Sequence, residues 1–278
     1  MVSVTEGRYE MKYALPLDKR AEVVEFARPY ISPDAHGQDL SAALPEVHAH
    51  PSEPPRGYRV SSLYLDDHRL TGYIRRLDGR RIRNRIRIRT YGDPGTTHPV
   101  FLEAKRKLHK KVIKHRVGVG STDHWHTLPS PNPWDHVAPL TDPLKQTRLE
   151  RWCDAVREKQ LAPVCRVEYW RETFAKGHLR LTLDHRVGAA STADPLALRG
   201  PCPIRLIPHG WVVLELKYNG QPPRWMRRLV SRFGLVAEPI SKFALGVALT
   251  CRAGRTADLR ATTPPSIRRA ARTNRAAR

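Results

Sequence analysis

Long cationic and carboxylate side chains recur at alternate positions along this chain, a mixture suited to binding phosphate. In "RIRNRIRIRT" arginine stands at 81, 83, 85, 87 and 89, with Ile82, Ile86 and Ile88 between them. In "VFLEAKRK" Glu103, Lys105 and Lys107 share one face, while Leu102 and Ala104 share the other. Guanidinium forks and ammonium groups bind phosphate oxygens, and a few carboxylates among them hold a divalent cation through oxygen. Like charges two residues apart on a strand lie roughly 7 Å apart and repel, so such a face needs solvent or an anion to be tolerated.

The same alternation returns elsewhere. Glu10 and Lys12 share a face in "YEMKY", Tyr169 and Arg171 in "EYWRET", Arg180, Thr182 and Asp184 in "HLRLTLDH", and Glu215 and Lys217 in "VVLELKY". A period of two belongs to strands. Two arrangements satisfy it: an ordinary barrel with its charges outside, or one whose aliphatic faces are covered by helices and whose interior is charged. Alternation alone does not choose between them.

Several elements must position these faces. Extended segments are read at 7–15, 58–67, 81–90, 99–108, 111–120, 163–175, 178–187 and 210–220, and helices at 18–30, 143–161 (amphipathic), 222–233 and 242–251. Residues 33–57, rich in Pro, Ala and Gly, read as a long loop. No βαβ alternation runs through the chain. The expected class is α+β: an eight-stranded antiparallel β-barrel forming a tunnel, with helices packed outside.

Length and composition agree. The 278 residues are 40% hydrophobic and carry a formal net charge of +22, which favours polyanionic partners. Residues 252–278 hold eight arginines and one aspartate and read as a basic disordered tail appended to a domain at 1–251. No RNP-like aromatic pattern or helix-turn-helix appears, which disfavours nucleic acid. The four cysteines lack CxxC spacing, the thirteen histidines form no HExxH, and no signal segment is read, so a cytoplasmic location is expected. No stretch of about 18 apolar residues is present to span a membrane.

"RYEMKY", "SLYLDD", "RIRIRTYG", "VFLEAKRK", "VIKHR", "YWRETF", "LRLTLDH", "VVLELKY", "PPRW" and "SKF" follow one another from Gly7 to Leu249. In that order they resemble the VTC (vacuolar transporter chaperone) domain, the polyphosphate polymerase branch of the triphosphate tunnel metalloenzymes. The resemblance implies a tunnel that binds ATP with Mn²⁺ or Mg²⁺ and passes the γ-phosphoryl to a growing polyphosphate chain. By the same resemblance, Lys12, Arg87, Arg89, Lys105, Arg171 and Arg180 would act on the triphosphate. Lys114, Arg116, Tyr169, Lys217, Ser241 and Lys242 would bind substrate, and Glu215, with Glu103 or Glu10, would hold the metal. Lys107 joins the substrate group, at a site where eukaryotic relatives carry a histidine. Pro239 stands where a lysine is expected, and "RYEMK" replaces the ExExK of the hydrolytic branch. The rivals are a triphosphatase of the same fold and a non-catalytic polyanion-binding module. Any export of the product would require a membrane-protein partner outside this chain.

Overall fold

The computed structural model describes residues 8–47, 55–80, 82–92, 96–108, 111–251 and 263–269. Arg81 lies outside them, as do the side chains of Arg83 and Lys107. In chain order the strands are β1 (Arg8–Pro16), β2 (Ser32–Pro33), β3 (Gln38–Asp39), β4 (Arg56–Asp66), β5 (Ile82–Tyr91), β6 (Pro99–Leu108), β7 (Lys111–Ser121), β8 (Ala162–Lys176), β9 (Leu179–Ser191), β10 (Ile204–Arg205) and β11 (Trp211–Asn219). The helices are α1 (Arg20–Ala27), α2 (Thr71–Leu77), α3 (Thr122–Thr127), α4 (Pro143–Glu158), α5 (Arg224–Arg232) and α6 (Lys242–Thr250).

Eight long strands form one antiparallel path, β1-β11-β9-β8-β4-β5-β6-β7. Three two-residue strands pair with it, β2 with β8, β3 with β4 and β10 with β9; β3 lies inside the stretch expected to be a loop and β2 straddles its start. The expected barrel is not closed. β1 and β7 end the path and share no ladder among the described residues. The sheet still curls enough for β6, next to one end, to reach β1 at the other through side chains: Lys105 Nζ lies 3.4 Å from Glu10 Oε2. Hydrogen bonding would require the two end strands to approach to about 4.8 Å, whereas a lysine–glutamate contact bridges a wider seam.

Alternation sorts the two faces. Ile86, Ile88, Leu102, Val117 and Val119 turn outward beneath Trp125 and the α4 residues Leu149, Trp152 and Val156. Leu181, Leu183, Leu214 and Leu216 turn outward beneath α1 and α5. Helix α4 starts where its sequence predicts: the Asp142 side chain accepts from the backbone N–H of Leu144 and Lys145, and Pro143 fills the first turn. The outer layer has one buried charged clamp, in which Glu172 on β8 accepts from Arg20 Nε of α1 at 3.0 Å and meets His185 Nε2 at 2.7 Å.

Helix α6 departs from the expectation that all helices pack outside. Phe243, Ala244, Leu245 and Val247 pack with Val60, Tyr64, Cys165, Val167 and Val213, which share the inner face with the charged residues. Residues 242–248 are all buried, so the helix has no solvated stripe along this stretch. Gly246 permits the approach: a Cβ there would meet Cys165 Sγ and Val167 Cγ2 at 3.1 Å.

In the basic C-terminal stretch, one described turn docks on the body. Ser266 donates its backbone N–H to Glu238 Oε1 at 3.0 Å, and Ile267, 2% exposed, joins the α6 core. The segment from 252 onward thus has one described turn anchored on the body. Burying an isoleucine contributes about 1.5–3 kcal/mol. Truncation after Cys251 is therefore expected to lower the melting temperature by roughly 5 °C. An unchanged melting temperature by calorimetry would show the docked turn to be energetically idle.

Candidate active site

The curl brings side chains from eight strands and α6 onto one inner face. Its first group centres on Glu103 of β6, which is 2% exposed. Arg87 on β5 donates Nε to Glu103 Oε2 at 2.7 Å and Nη1 to the Tyr64 hydroxyl at 3.2 Å. Arg89 donates Nε to Ser62 Oγ at 2.8 Å and reaches Glu103 at 3.7 Å. Lys114 and Arg116 of β7 lie 3.6 and 3.5 Å from Glu103 Oε1. Burial alone would raise the Glu103 pKa; Arg87, Arg89 and Lys114 overcome it and hold the carboxylate far below its ordinary range.

A second group gathers on β8, β9 and α6. Asp184 of β9 is fully buried and accepts both arms of the Arg171 fork, Nε at 2.6 Å and Nη2 at 2.8 Å. Lys242, the first residue of α6, brings Nζ to 2.5 Å from the same carboxylate and 4.8 Å from the Tyr169 ring. Against burial, Arg171 and Lys242 hold Asp184 down at about 2. Burial pushes the Tyr169 hydroxyl up to about 12, so it stays protonated at neutral pH.

A third group lies across β1 and β11, where Lys12 pairs in register with Glu215 and Glu10 with Lys217. Lys12 Nζ sits between two carboxylates, in contact with Glu10 and 2.9 Å from Glu215 Oε1. Lys217 Nζ is 3.3 Å from Glu215, and Arg171 Nη2 reaches the same carboxylate at 3.6 Å, which ties this group to the second.

Positive charge dominates the ensemble. Arg85, Arg87, Arg89, Lys105, Lys114, Arg116, Arg171, Lys12, Lys217 and Lys242 surround four carboxylates, Glu10, Glu103, Asp184 and Glu215. Lys12, between Glu215 and Glu10, is raised against its burial, but three other lysines register the excess. Burial, reinforced by Arg171 and Lys12, pushes Lys217 down to about 8 despite Glu215 and Glu10. Lys105 and Lys114 are also lowered, first by burial and then by neighbouring cations. Ammonium groups whose charged form is disfavoured by their surroundings are stabilised by an incoming anion. Arg85, Arg87, Glu103, Lys105 and Lys114 line a cleft at the β5–β7 side of this face.

A family model for the VTC domain matches residues 7–251. The chain belongs to the VTC-domain family. No curated protein matches it in sequence. Among solved structures, the PH1819 protein of Pyrococcus horikoshii OT3 is 13% identical with a TM-score of 0.40, over 85% of this chain and 97% of its own. The PH1012 protein of the same organism is 10% identical with a TM-score of 0.41, over 87% and 99%. A Vibrio parahaemolyticus protein provisionally named an adenylate cyclase is 11% identical with a TM-score of 0.42, over 86% and 97%.

Within this VTC domain most of the residues singled out from sequence come together. Lys12, Arg87, Arg89, Lys105, Lys114, Arg116, Tyr169, Arg171, Lys217 and Lys242 share the inner face with Glu10, Glu103 and Glu215. Arg180 pairs with Lys217 across β9 and β11, with no ion pair among the described residues. Ser241 caps α6, its hydroxyl accepting from the Ala244 N–H at 3.3 Å beside Lys242. Asp184, Tyr64 and Ser62 were not singled out, although each sits on a charged strand's inner register and holds a cation in place.

The carboxylates set the terms for a metal. Among the described residues no three of His, Cys, Asp and Glu form a metal-binding group. Glu10 and Glu215 do meet, and the Lys12 ammonium between them shows that the pair attracts a cation. Two carboxylates completed by phosphate oxygens and water are a donor set that Mg²⁺-type ions accept. Glu103 does not join the pair; its neighbours are Arg87, Arg89, Lys114 and Arg116.

Proposed function

We propose that this VTC domain is an ATP:polyphosphate phosphotransferase, a polyphosphate polymerase that moves the ATP γ-phosphoryl onto a growing chain. The observation that carries the reading is the surplus of cations over carboxylates on one concave face, where burial first and neighbouring cations second lower the pKa of Lys217, Lys105 and Lys114. Phosphoryl transfer is catalysed mainly by positioning and charge neutralisation, so no strong general base is required when the acceptor is an ionised phosphate.

In this reading Arg87 and Arg89, held by Glu103, Tyr64 and Ser62, present guanidiniums from one wall. Arg171 and Lys242, held by Asp184, present a guanidinium and an ammonium from β8 and α6. Lys105, Lys114 and Lys217 neutralise the remaining phosphate oxygens, and Arg180 extends the cationic wall. Lys107 stands as a further phosphate contact. Glu10 and Glu215 would hold Mn²⁺ or Mg²⁺, which when bound neutralises charge that develops on phosphate oxygens. Transfer to a membrane partner for export also belongs to this reading. No described helix is long and apolar enough to cross a membrane.

One observation favours a triphosphatase instead: α6 covers part of the inner face, which suits a short anion better than a chain threading through. Incubation with ATP and Mn²⁺, followed by gel separation of polyphosphate from orthophosphate, decides between them. Polyphosphate is the expected product, and orthophosphate alone would overturn the polymerase reading.

Glu215→Gln keeps the side-chain shape but removes the charge that Lys12, Lys217 and Arg171 share. Turnover is expected to fall at least about tenfold, with partial recovery at high Mn²⁺, because a weakened carboxylate pair is filled at higher metal concentration. A Mn²⁺ titration that superimposes on wild type would remove Glu215 from the metal role.

A further inference from the structure

One mouth of the charged face is aromatic. Tyr91 follows Arg89 by two residues on β5, Phe101 precedes Glu103 by two on β6, and Tyr58 precedes Val60 by two on β4, so all three turn inward with the charged set. Their rings pack edge to face. Tyr58 and Tyr91 have centroids 5.6 Å apart at 76°, and Tyr91 and Phe101 are 5.8 Å apart at 74°. The Arg116 guanidinium, arriving from β7, lies 3.7 Å from the Phe101 centroid and 5.1 Å from that of Tyr91. These four side chains are only half-buried, whereas Tyr64 and Phe243, near α6, are buried.

The aromatic surface begins where the phosphate cluster ends. Arg116 Nε is 3.5 Å from Glu103, and the Arg89 guanidinium is 5.9 Å from the Tyr91 ring. A ligand matching this layout has a compact polyanion at one end and a flat heterocycle at the other. Aromatic rings and guanidinium planes hold such a heterocycle by stacking and cation–π attraction. An inorganic phosphate chain has nothing to place there, and three clustered rings beside an anion site gain nothing from it.

We propose that Tyr91, Phe101 and Arg116 form the stacking subsite for the nucleobase of the nucleotide donor, whose phosphates run inward to Arg89, Arg87 and Arg171. The proposal rests on the phosphotransfer reading above and adds a polarity to it: the base stays at the aromatic mouth and the terminal phosphate lies deepest. It also moves Arg116 from a phosphate contact to a base contact. Stacking engages the face of a base and leaves its edges unread, so the subsite separates nucleotides from inorganic phosphates more sharply than one base from another.

The test is isothermal titration calorimetry of ATP and of inorganic tripolyphosphate into the full chain, wild type against Tyr91→Leu, Phe101→Leu and Arg116→Lys. Each variant is expected to weaken ATP about tenfold and to leave tripolyphosphate within about twofold, as loss of one stacking partner does for single-stranded nucleic acids. Arg116→Lys keeps the charge and loses the plane, on a side chain 36% exposed, so it carries the test even where a ring variant fails to fold. Equal weakening of both ligands, or unchanged ATP affinity in folded variants, would overturn the subsite. Wild-type binding of tripolyphosphate without ATP would also overturn it while leaving the phosphate site intact. A wild-type protein that binds neither ligand would overturn the phosphotransfer reading itself.

Discussion

Arg89→Ala is expected to lower turnover by about a hundredfold or more, the scale on which a preorganised charge contact to a transition state acts. Arg89 is 6% exposed, and its Nε is fixed by Ser62 Oγ at 2.8 Å, so the guanidinium is aimed before any ligand arrives. Arg87→Ala is expected to cost a similar factor, but it differs in stability. Arg87 is the main hydrogen-bond partner of the buried Glu103 carboxylate, which would retain Arg89, Lys114 and Arg116 as weaker neighbours. A modest drop in melting temperature should therefore accompany Arg87→Ala and exceed that of Arg89→Ala. Steady-state transfer from ATP and calorimetry on both variants check the pair. Wild-type turnover in both would place the two arginines outside the reacting phosphates.

The alternation that makes these arginines conspicuous was legible because a strand's period leaves no other face for them. It put Arg87 with Arg89, Glu103 with Lys105, and Glu215 with Lys217, each set on one strand face, and the family resemblance turned those faces inward. Asp184 was visible on the same face as Arg180 and Thr182, yet nothing local marked its role. Its partners Arg171 and Lys242 come from other elements, and only the fold brings them within 2.8 Å and 2.5 Å. The inner position of α6 did leave a signal. "KFALGVALT" has no charged residue after Lys242, and a helix that is apolar all round is buried on more than one side. The failure of the barrel to close left none, because it depends on whether β1 and β7 meet, and neither strand's own pattern records its distance from the other. The aromatic mouth was written in the same alternation as the arginines, with Tyr91 and Phe101 at charged-face positions. A search for cations passes over them.

The largest loss of stability is expected from Asp184→Ala. The carboxylate it removes is the shared partner of two buried cations, Arg171 and Lys242, whose side chains are 13% and 8% exposed. Removing one side of a buried ion pair costs about 3–5 kcal/mol; Arg171 keeps only the longer contact to Glu215, at 3.6 Å. In a domain of this size that corresponds to a melting temperature lowered by roughly 10 °C. A polyanion that occupies the cationic face replaces the missing partner, so tripolyphosphate should raise the melting temperature of Asp184→Ala by more than it raises that of wild type. The acid limb follows from the same group. Asp184 has a folded-state pKa of about 2, below its ordinary value, so its contribution is present above the unfolded-state pKa and is lost as pH falls toward 2. Wild type should therefore lose stability more steeply than Asp184→Ala between about pH 4 and 2. Equal tripolyphosphate shifts in the two proteins would show that Arg171 and Lys242 do not face the anion, and this part of the proposed phosphate site would have to be sought elsewhere.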